Sequence, residues 1–254
     1  MNNDEKSAEE YLKHSKKVQY GLCQSLIERI TIKPTDHVFE IGCGTGAFAA
    51  YLATDVLQNG RITGCDPDEN RIKVAMEKFS DIANLSYVQA GGSEALENKS
   101  AVFDVIYSNG VLHWMSDDEL EKTLQRSFLA MKNGAVSAHL IVTSVPENMA
   151  KLASFLNQEL QDQFHDMLRP IPSQRLVELV QKHGFEVTHT EDFWKASELG
   201  SVDEYLTWLD ASLYGKFGFK ETYYKFQEKI QLETTEDGKT KQTNPLFIIV
   251  MKKP

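Results

Sequence analysis

Short apolar runs alternate with amphipathic stretches over the first 143 residues of the chain. The apolar runs have the length of buried strands, and the stretches between them have the three-to-four-residue spacing of helices with one buried face. The predicted strands are His37–Ile41, Arg61–Cys65, Leu85–Gln89, Phe103–Tyr107 and Ala135–Thr143. The predicted helices are Ser7–Ile30, which opens on a capping box, Ala47–Leu57, Asp68–Phe79 and Asp117–Met131. This order predicts βαβ units and a doubly wound parallel sheet with helices on both faces.

The pattern changes after Thr143. The predicted elements there are helices at 147–165 and 173–183, a strand at 185–192, helices at 202–214 and 220–230, a hairpin turn at 236–239 and a strand at 246–251. This ending predicts an antiparallel strand at the sheet edge, preceded by a helical insert. With no repeat or linker, the expected organisation is one domain over 1–254, with an N-terminal helix at 7–30 and helical cap segments near 147–170 and 200–230.

Charge and composition narrow the class of protein. The net charge of −10 opposes binding to phosphate backbones or anionic lipid, so neither a nucleic acid nor a membrane is an expected partner. The longest apolar run is too short to cross a bilayer, and the polar N-terminus predicts no signal or transit peptide. The three cysteines form no CxxC pair and the histidines show no ligand spacing, so we expect no disulfide framework, no metal site and a cytoplasmic location.

A glycine turn between the first strand and its helix carries the main chemical signal. Gly42, Gly44 and Gly46 let a ligand approach the backbone, and the helix start supplies free N–H groups. Asp66 follows twenty residues later, where a carboxylate can accept both hydroxyls of a ribose. Gly42, Gly44 and Ala47 also satisfy the dinucleotide pattern. We favour S-adenosylmethionine over NAD because Glu40 suits a cationic ligand, and because a second βαβαβ half is missing.

Three segments together resemble the motifs of class I S-adenosylmethionine-dependent methyltransferases: VFEIGCGTG (38–46), Asp66, and FDVIYSNGVLHW (103–114). The resemblance implies a Rossmann-like seven-stranded sheet of order 3-2-1-4-5-7-6, mostly parallel, with the last strand antiparallel. It implies that the cofactor is held by Tyr11, Glu40, Gly42, Cys43, Gly44, Gly46, Asp66, Pro67, Gly92, Ser93 and Asn109.

One position departs from this pattern. Many relatives carry an Asp after the third strand that accepts the adenine amino group, whereas Gly91 offers no side chain. Ser93 and backbone groups are then expected to contact the adenine.

The segment after the fourth strand indicates the chemical class of the methyl acceptor. The Asn-x-x-Leu-His-Trp pattern resembles the trans-aconitate and juvenile hormone acid methyltransferases, which esterify carboxyl groups. The resemblance implies a small-molecule acid held by Gln19, His113 and Trp114. A carboxylate is ionised at neutral pH and needs no base. One alternative is a small amine or hydroxyl acceptor with His113 as base, and another is a binding protein that has lost catalysis. The residues leave the oligomeric state open.

Overall fold

A computed structural model of the chain describes residues 20–254. Its centre is a seven-stranded sheet in the order β3-β2-β1-β4-β5-β7-β6. The strands are β1 (His37–Ile41), β2 (Arg61–Asp66), β3 (Leu85–Gln89), β4 (Phe103–Asn109), β5 (Met131–Val142), β6 (Glu186–Glu198) and β7 (Lys241–Lys252). Both the predicted fold class and the predicted strand order are confirmed.

Six strands run in one direction and β7 runs against them. Parallel pairing aligns Ile41 of β1 with Cys65 of β2 and with Ser108 of β4. β7 is antiparallel to both neighbours, and Leu246 in the middle of β7 lies opposite Val142 at the end of β5. One edge of the sheet therefore collects the carboxyl ends of the parallel strands together with the first half of β7. Ligands of open α/β sheets bind at such an edge.

Helices cover both faces of the sheet. Residues 20–27 are helical and form α1. The others are α2 (Ala47–Tyr51), which continues as a short π-helical turn (Leu52–Val56), α3 (Glu69–Phe79), α4 (Gly92–Ala95), α5 (Asp117–Ala130), α6 (Glu147–Ala153), α7 (Gln158–Met167), α8 (Ser173–Lys182), α9 (Val202–Ser212) and α10 (Phe219–Phe226).

The period-2 alternation of the strands separates two hydrophobic cores. Val38, Tyr107 and Leu140 face a core that includes side chains of α1, α2, α6 and α9. Phe39 and Ile106 face the opposite core, which α5 and α8 complete. Because consecutive residues of a strand point to opposite faces, one short apolar run supplies both cores. This two-sided burial holds the strand ends in fixed positions.

Besides shifts of up to four residues at the ends of other elements, the described residues show three larger differences from the predicted elements. The helix predicted at 147–165 is two helices, because the Asn157 side chain accepts a hydrogen bond from Leu160 N and starts α7 anew. α4 was not predicted. β6 and β7 extend further toward each other along the chain than predicted, and a turn at Gly238, closed by a bridge between Thr234 and Thr240, comes just before β7. Within residues 20–254, no helix has the length and apolar character needed to cross a membrane.

Candidate functional site

A cavity of about 540 Å³ opens at the edge where the parallel strands end. One part, the glycine-turn half, is walled by Gly42, Asp66, Pro67, Gly91, Gly92, Ser93, Asn109 and Glu119. The other part, the cap half, is walled by His113, Trp114, Leu140, Val142, Met149, Leu168, Trp208, Leu213 and Leu246. Among the predicted site residues that the structure describes, Glu40, Cys43, Gly44 and Gly46 lie outside this wall. Tyr11 and Gln19 lie outside the described residues.

The glycine turn has a conformation that requires its glycines. Gly42, Gly44 and Gly46 have φ of 72°, 55° and 75°, in the left-handed region that other residues rarely adopt. A Cβ on Gly42 would collide with the Val111 side chain, and one on Gly46 would collide with Tyr87. The Tyr87 hydroxyl donates to the Gly46 carbonyl at 2.8 Å and so fixes the end of the turn. The turn is therefore set both by its own backbone and by close neighbours.

Asp66 connects the end of β2 to this turn. Its carboxylate is 4% exposed and accepts hydrogen bonds from Gly44 N at 2.9 Å and Asp68 N at 3.0 Å. Burial raises its pKa, while Arg71 and the two amides oppose that shift. Each carboxylate oxygen can accept more than one hydrogen bond, so both retain capacity for a ligand's hydroxyl groups. The ribose-binding role of Asp66 stays a prediction.

Glu40 is a buried carboxyl group behind the glycine turn. Its Oε2 has no hydrogen-bond partner among residues 20–254. Burial raises its pKa to about 8, with a smaller contribution from the charge of Asp66, and the nearby Tyr107 hydroxyl opposes the shift. A buried acid without a cationic partner is costly when ionised. The residue thus fits a ligand that brings a positive charge, as S-adenosylmethionine does.

Ser93 and Glu119 form the far end of the glycine-turn half. Ser93 donates from its N at 3.1 Å and from its Oγ at 2.8 Å to the carboxylate of Glu119. Sequence reasoning missed Glu119. Ser116 and Glu119 have capping-box spacing, which indicates only a helix start, and Ser116 Oγ does accept from Glu119 N at 3.2 Å. Nothing in the spacing predicts that the Glu119 side chain reaches α4 instead.

His113 is a neutral hydrogen-bond donor at the boundary of the cap half. Its Nδ1 accepts from Val142 N at 3.2 Å, and complete burial lowers its pKa to about 3. A neutral imidazole that accepts at Nδ1 carries its hydrogen on Nε2. The ring nitrogen that could take up a proton is therefore already occupied by the backbone. This arrangement favours donation to a ligand over general-base catalysis.

The Trp114 ring lies beside the His113 ring, with 5.3 Å between the centroids and an angle of 40° between the ring planes. Its indole Nε1 donates to the Gly110 carbonyl at 2.9 Å. In this conformation the N–H expected to contact an acceptor carboxylate is already satisfied, so Trp114 presents mainly apolar ring surface to the cavity.

The cap half is closed by helices from the second part of the chain. Trp208 and Leu213 at the end of α9 face the strand ends across the cavity, and Arg71 of α3 joins the two parts. The Arg71 guanidinium lies 4.3 Å from the centroid of the Tyr214 ring and donates to the Ser212 carbonyl at 3.3 Å. Sequence reasoning predicted a cap here but not the residues that fasten it. In the part of the chain that the structure describes, no cluster of three His, Cys, Asp or Glu residues could hold a metal ion.

Comparisons with known proteins agree with this geometry. A family model described as a methyltransferase domain matches residues 38–134. An uncharacterized methyltransferase of Schizosaccharomyces pombe is 32% identical over 117 residues, covering 45% of this chain and 42% of that protein. Trans-aconitate 2-methyltransferase of Paracidovorax citrulli is 27% identical over 113 residues, covering 44% of this chain and 41% of that protein. The chain thus spans less than half the length of these two relatives.

One solved structure is similar to this chain over most of its fold. Phosphoethanolamine N-methyltransferase 2 of Haemonchus contortus, in complex with S-adenosyl-L-methionine, aligns with a TM-score of 0.61 at 16% identity. The alignment covers 92% of this chain and 53% of that one. The family match includes the glycine turn, Asp66 and the end of β4, so residues 38–134 are similar to a methyltransferase domain.

Proposed function

We propose that the protein transfers a methyl group to the carboxylate of a small, largely apolar organic acid. The observation that carries this proposal is the contrast within one cavity: carboxyl groups line the glycine-turn half, whereas the cap half is mainly apolar with a neutral imidazole at its boundary. The likeness to a trans-aconitate methyltransferase supports an acid acceptor.

The glycine-turn half would hold the cofactor. Asp66 would accept the ribose hydroxyls, Pro67 would flank the sugar, and Gly92 and Ser93 would face the adenine. Glu40 would sit behind Gly42 and Gly44 and balance the positive methionine end. Asn109 would lie in the cavity wall between the cofactor and the acceptor. S-adenosylmethionine supplies an activated methyl group on a sulfonium, so the protein's own task is to position the acceptor and exclude water.

The cap half would hold the acceptor. A carboxylate is ionised at neutral pH, so no group has to remove a proton from it. A reaction that joins an anion to a cation loses charge, and the apolar walls formed by Leu140, Leu168, Trp208 and Leu246 favour that loss. His113 would donate from Nε2 and orient the carboxylate without the full charge of an ion pair, which would weaken the nucleophile.

The alternative acceptors are an amine or a hydroxyl, with His113 as the base. The occupied Nδ1 and a pKa of about 3 argue against this role, because so weak a base would accept few protons near neutral pH. A pH–rate profile separates the two reactions. Carboxylate methylation predicts kcat/KM on the acceptor that stays flat from about pH 5.5 to 8, at saturating cofactor. A rising acid limb with an apparent pKa between 6 and 7 would favour the amine or hydroxyl reaction.

Direct identification requires an acceptor screen. The purified protein is incubated with methyl-labelled S-adenosylmethionine and a panel of mono- and dicarboxylic acids, matched in carbon skeleton to amines and alcohols. Mass spectrometry then locates the label. Esters formed only from the acids would support the proposal, whereas label on nitrogen would contradict it. A third result, cofactor binding without transfer to any compound, would favour the alternative that the chain is a binding protein that has lost catalysis.

A further inference from the structure

We infer that Glu119, on α5, is the carboxylate that recognises the adenine amino group, in place of the acidic residue missing after β3. This inference rests on the proposed placement of the cofactor in the glycine-turn half.

The order of the strand ends decides where the adenine lies. In S-adenosylmethionine the ribose separates the sulfonium from the base. With the methionine end near Glu40 and Gly42 and the ribose at Asp66, the base extends to the far side of Asp66. The wall there includes Ala90, Gly91, Gly92, Ser93 and the exposed Glu94 after β3, together with Met115, Ser116 and Glu119.

Gly91 and Gly92 in the loop after β3 carry no carboxylate, but a carboxylate from another element fits beside Gly91. A Cβ on Gly91 would lie 3.3 Å from Oε1 of Glu119, so the Glu119 carboxylate occupies the space beside this glycine. Gly92 is closed in by Ile41 and Thr123, and any side chain there would displace them. The carboxylate therefore reaches the cavity from α5, a different element from the one the sequence motif indicates.

Glu119 is held in place with acceptor capacity remaining. Oε1 accepts from Ser93 N at 3.1 Å and from Thr123 Oγ1 at 3.2 Å, and Oε2 accepts from Ser93 Oγ at 2.8 Å. An ionised carboxylate offers about four acceptor positions. These three bonds leave one on Oε2, and an exocyclic amino group supplies the matching donor. The bonds from Ser93 and Thr123 also fix the side-chain conformation before the ligand arrives.

The experiment compares two ligands that differ at the 6-position of the purine and in the hydrogen on the adjacent N1. Titration calorimetry measures the binding of S-adenosylhomocysteine and of S-inosylhomocysteine, in which an oxygen replaces the 6-amino group. The wild-type protein should bind the adenine form roughly 10- to 100-fold more tightly, the range expected for one hydrogen bond to a charged acceptor. Glu119→Gln should reduce this ratio to within about threefold, because an amide can accept from the amine and donate to the oxygen.

Two further variants separate recognition from structure. Asp118→Asn removes the same charge from an exposed residue of α5 that lies outside the cavity wall, and should keep the wild-type ratio. Glu119→Asp keeps the negative charge but shortens the side chain by one methylene group, which moves the carboxylate away from the ligand. This variant should lower the ratio without abolishing the preference for the adenine form. If Glu119 only stabilised α4, its replacement would weaken both ligands equally and leave the ratio unchanged.

A wild-type ratio near one would overturn the inference, as would a wild-type ratio retained by Glu119→Gln. In either case the cofactor site itself would stand, since S-adenosylhomocysteine would still bind. If the wild-type protein bound neither ligand, both the proposed function and this inference would fail.

Discussion

The two halves of the cavity are built by different means. The glycine-turn half depends on segments close together in sequence: the Gly44 N–H donates to Asp66 only 22 residues away, and the turn conformation belongs to alternate glycines of one short segment. The cap half brings distant segments together, as when Arg71 donates to the Ser212 carbonyl across 141 residues. The first half presents carboxyl groups and backbone amides, and the second presents apolar rings and alkyl chains.

The difference matches the two ligands that the halves are proposed to bind. A charged, hydroxyl-rich cofactor requires fixed polar partners, which a rigid turn supplies. An acceptor that loses its charge during the reaction gains from apolar walls instead. Variants in the two halves should therefore affect different measurements: cofactor affinity in the glycine-turn half, and turnover in the cap half.

Asp66→Asn should have the largest effect. The substitution removes the charge and places an NH₂ group where backbone N–H groups already donate, so the glycine turn and the ribose contact both weaken. We expect S-adenosylhomocysteine affinity to fall roughly 100-fold or more, from the loss of hydrogen bonds to a charged acceptor. Calorimetry measures the affinity, and thermal unfolding shows whether the fold persists. A folded variant with wild-type affinity would remove Asp66 from the cofactor site.

Glu40 should make cofactor affinity depend on pH. Its pKa of about 8 keeps it mostly protonated at neutral pH in the ligand-free protein, whereas a cationic ligand favours the ionised form. Binding should then release a proton, and the affinity for S-adenosylmethionine should rise up to about tenfold per pH unit until about pH 8. Titrations in two buffers of different ionisation enthalpy measure the released proton.

Glu40→Gln is the control for this effect. The amide cannot ionise, so the affinity of this variant should vary little between pH 6 and 8. The same residue affects stability. Because its folded pKa lies above its ordinary value of 4.5, the wild type should lose stability as pH rises from that value through about 8. The variant should lack this loss. A pH-independent wild-type affinity would show that Glu40 does not respond to the ligand charge.

His113→Ala should lower turnover while sparing cofactor binding. It removes the Nε2 donor and leaves Val142 N without its acceptor. We expect kcat/KM on the acceptor to fall roughly 10- to 30-fold, from the loss of one hydrogen bond to an anion. His113→Gln, whose amide supplies a donor, should recover part of the loss. Equal losses of turnover and S-adenosylhomocysteine affinity would show that the two halves are not separable at this residue.

Trp114→Phe should have the smallest effect. Phe keeps apolar ring surface in the cap half but loses the hydrogen bond to the Gly110 carbonyl. If ring surface is the main contribution of Trp114, kcat/KM should fall only about two- to fivefold. Steady-state kinetics at saturating cofactor measure this. A loss as large as that of His113→Ala would instead support direct contact between the indole N–H and the acceptor carboxylate.

Most of the strands could be predicted because apolar runs bounded by glycine, proline or polar residues have few other interpretations. The break at Asn157 was missed because helical spacing continues through a capping residue. The full lengths of β6 and β7 were missed because pairing between the two strands, rather than local hydrophobicity, extends the ladder to Lys195–Asn244 and beyond. The proposed single-domain organisation stays a prediction.

The amino-acid sequence by itself determined the glycine turn and its position beside Asp66, because left-handed backbone angles require glycine and the strand register then sets the rest. Only the tertiary structure decided which side chains complete the cavity. Glu119 reaches Ser93 across 26 residues, and Val142 N fixes the His113 ring across 29, through packing between elements that no local pattern specifies. Local conformational rules thus placed the glycine turn, whereas long-range contacts determined which side chains surround it.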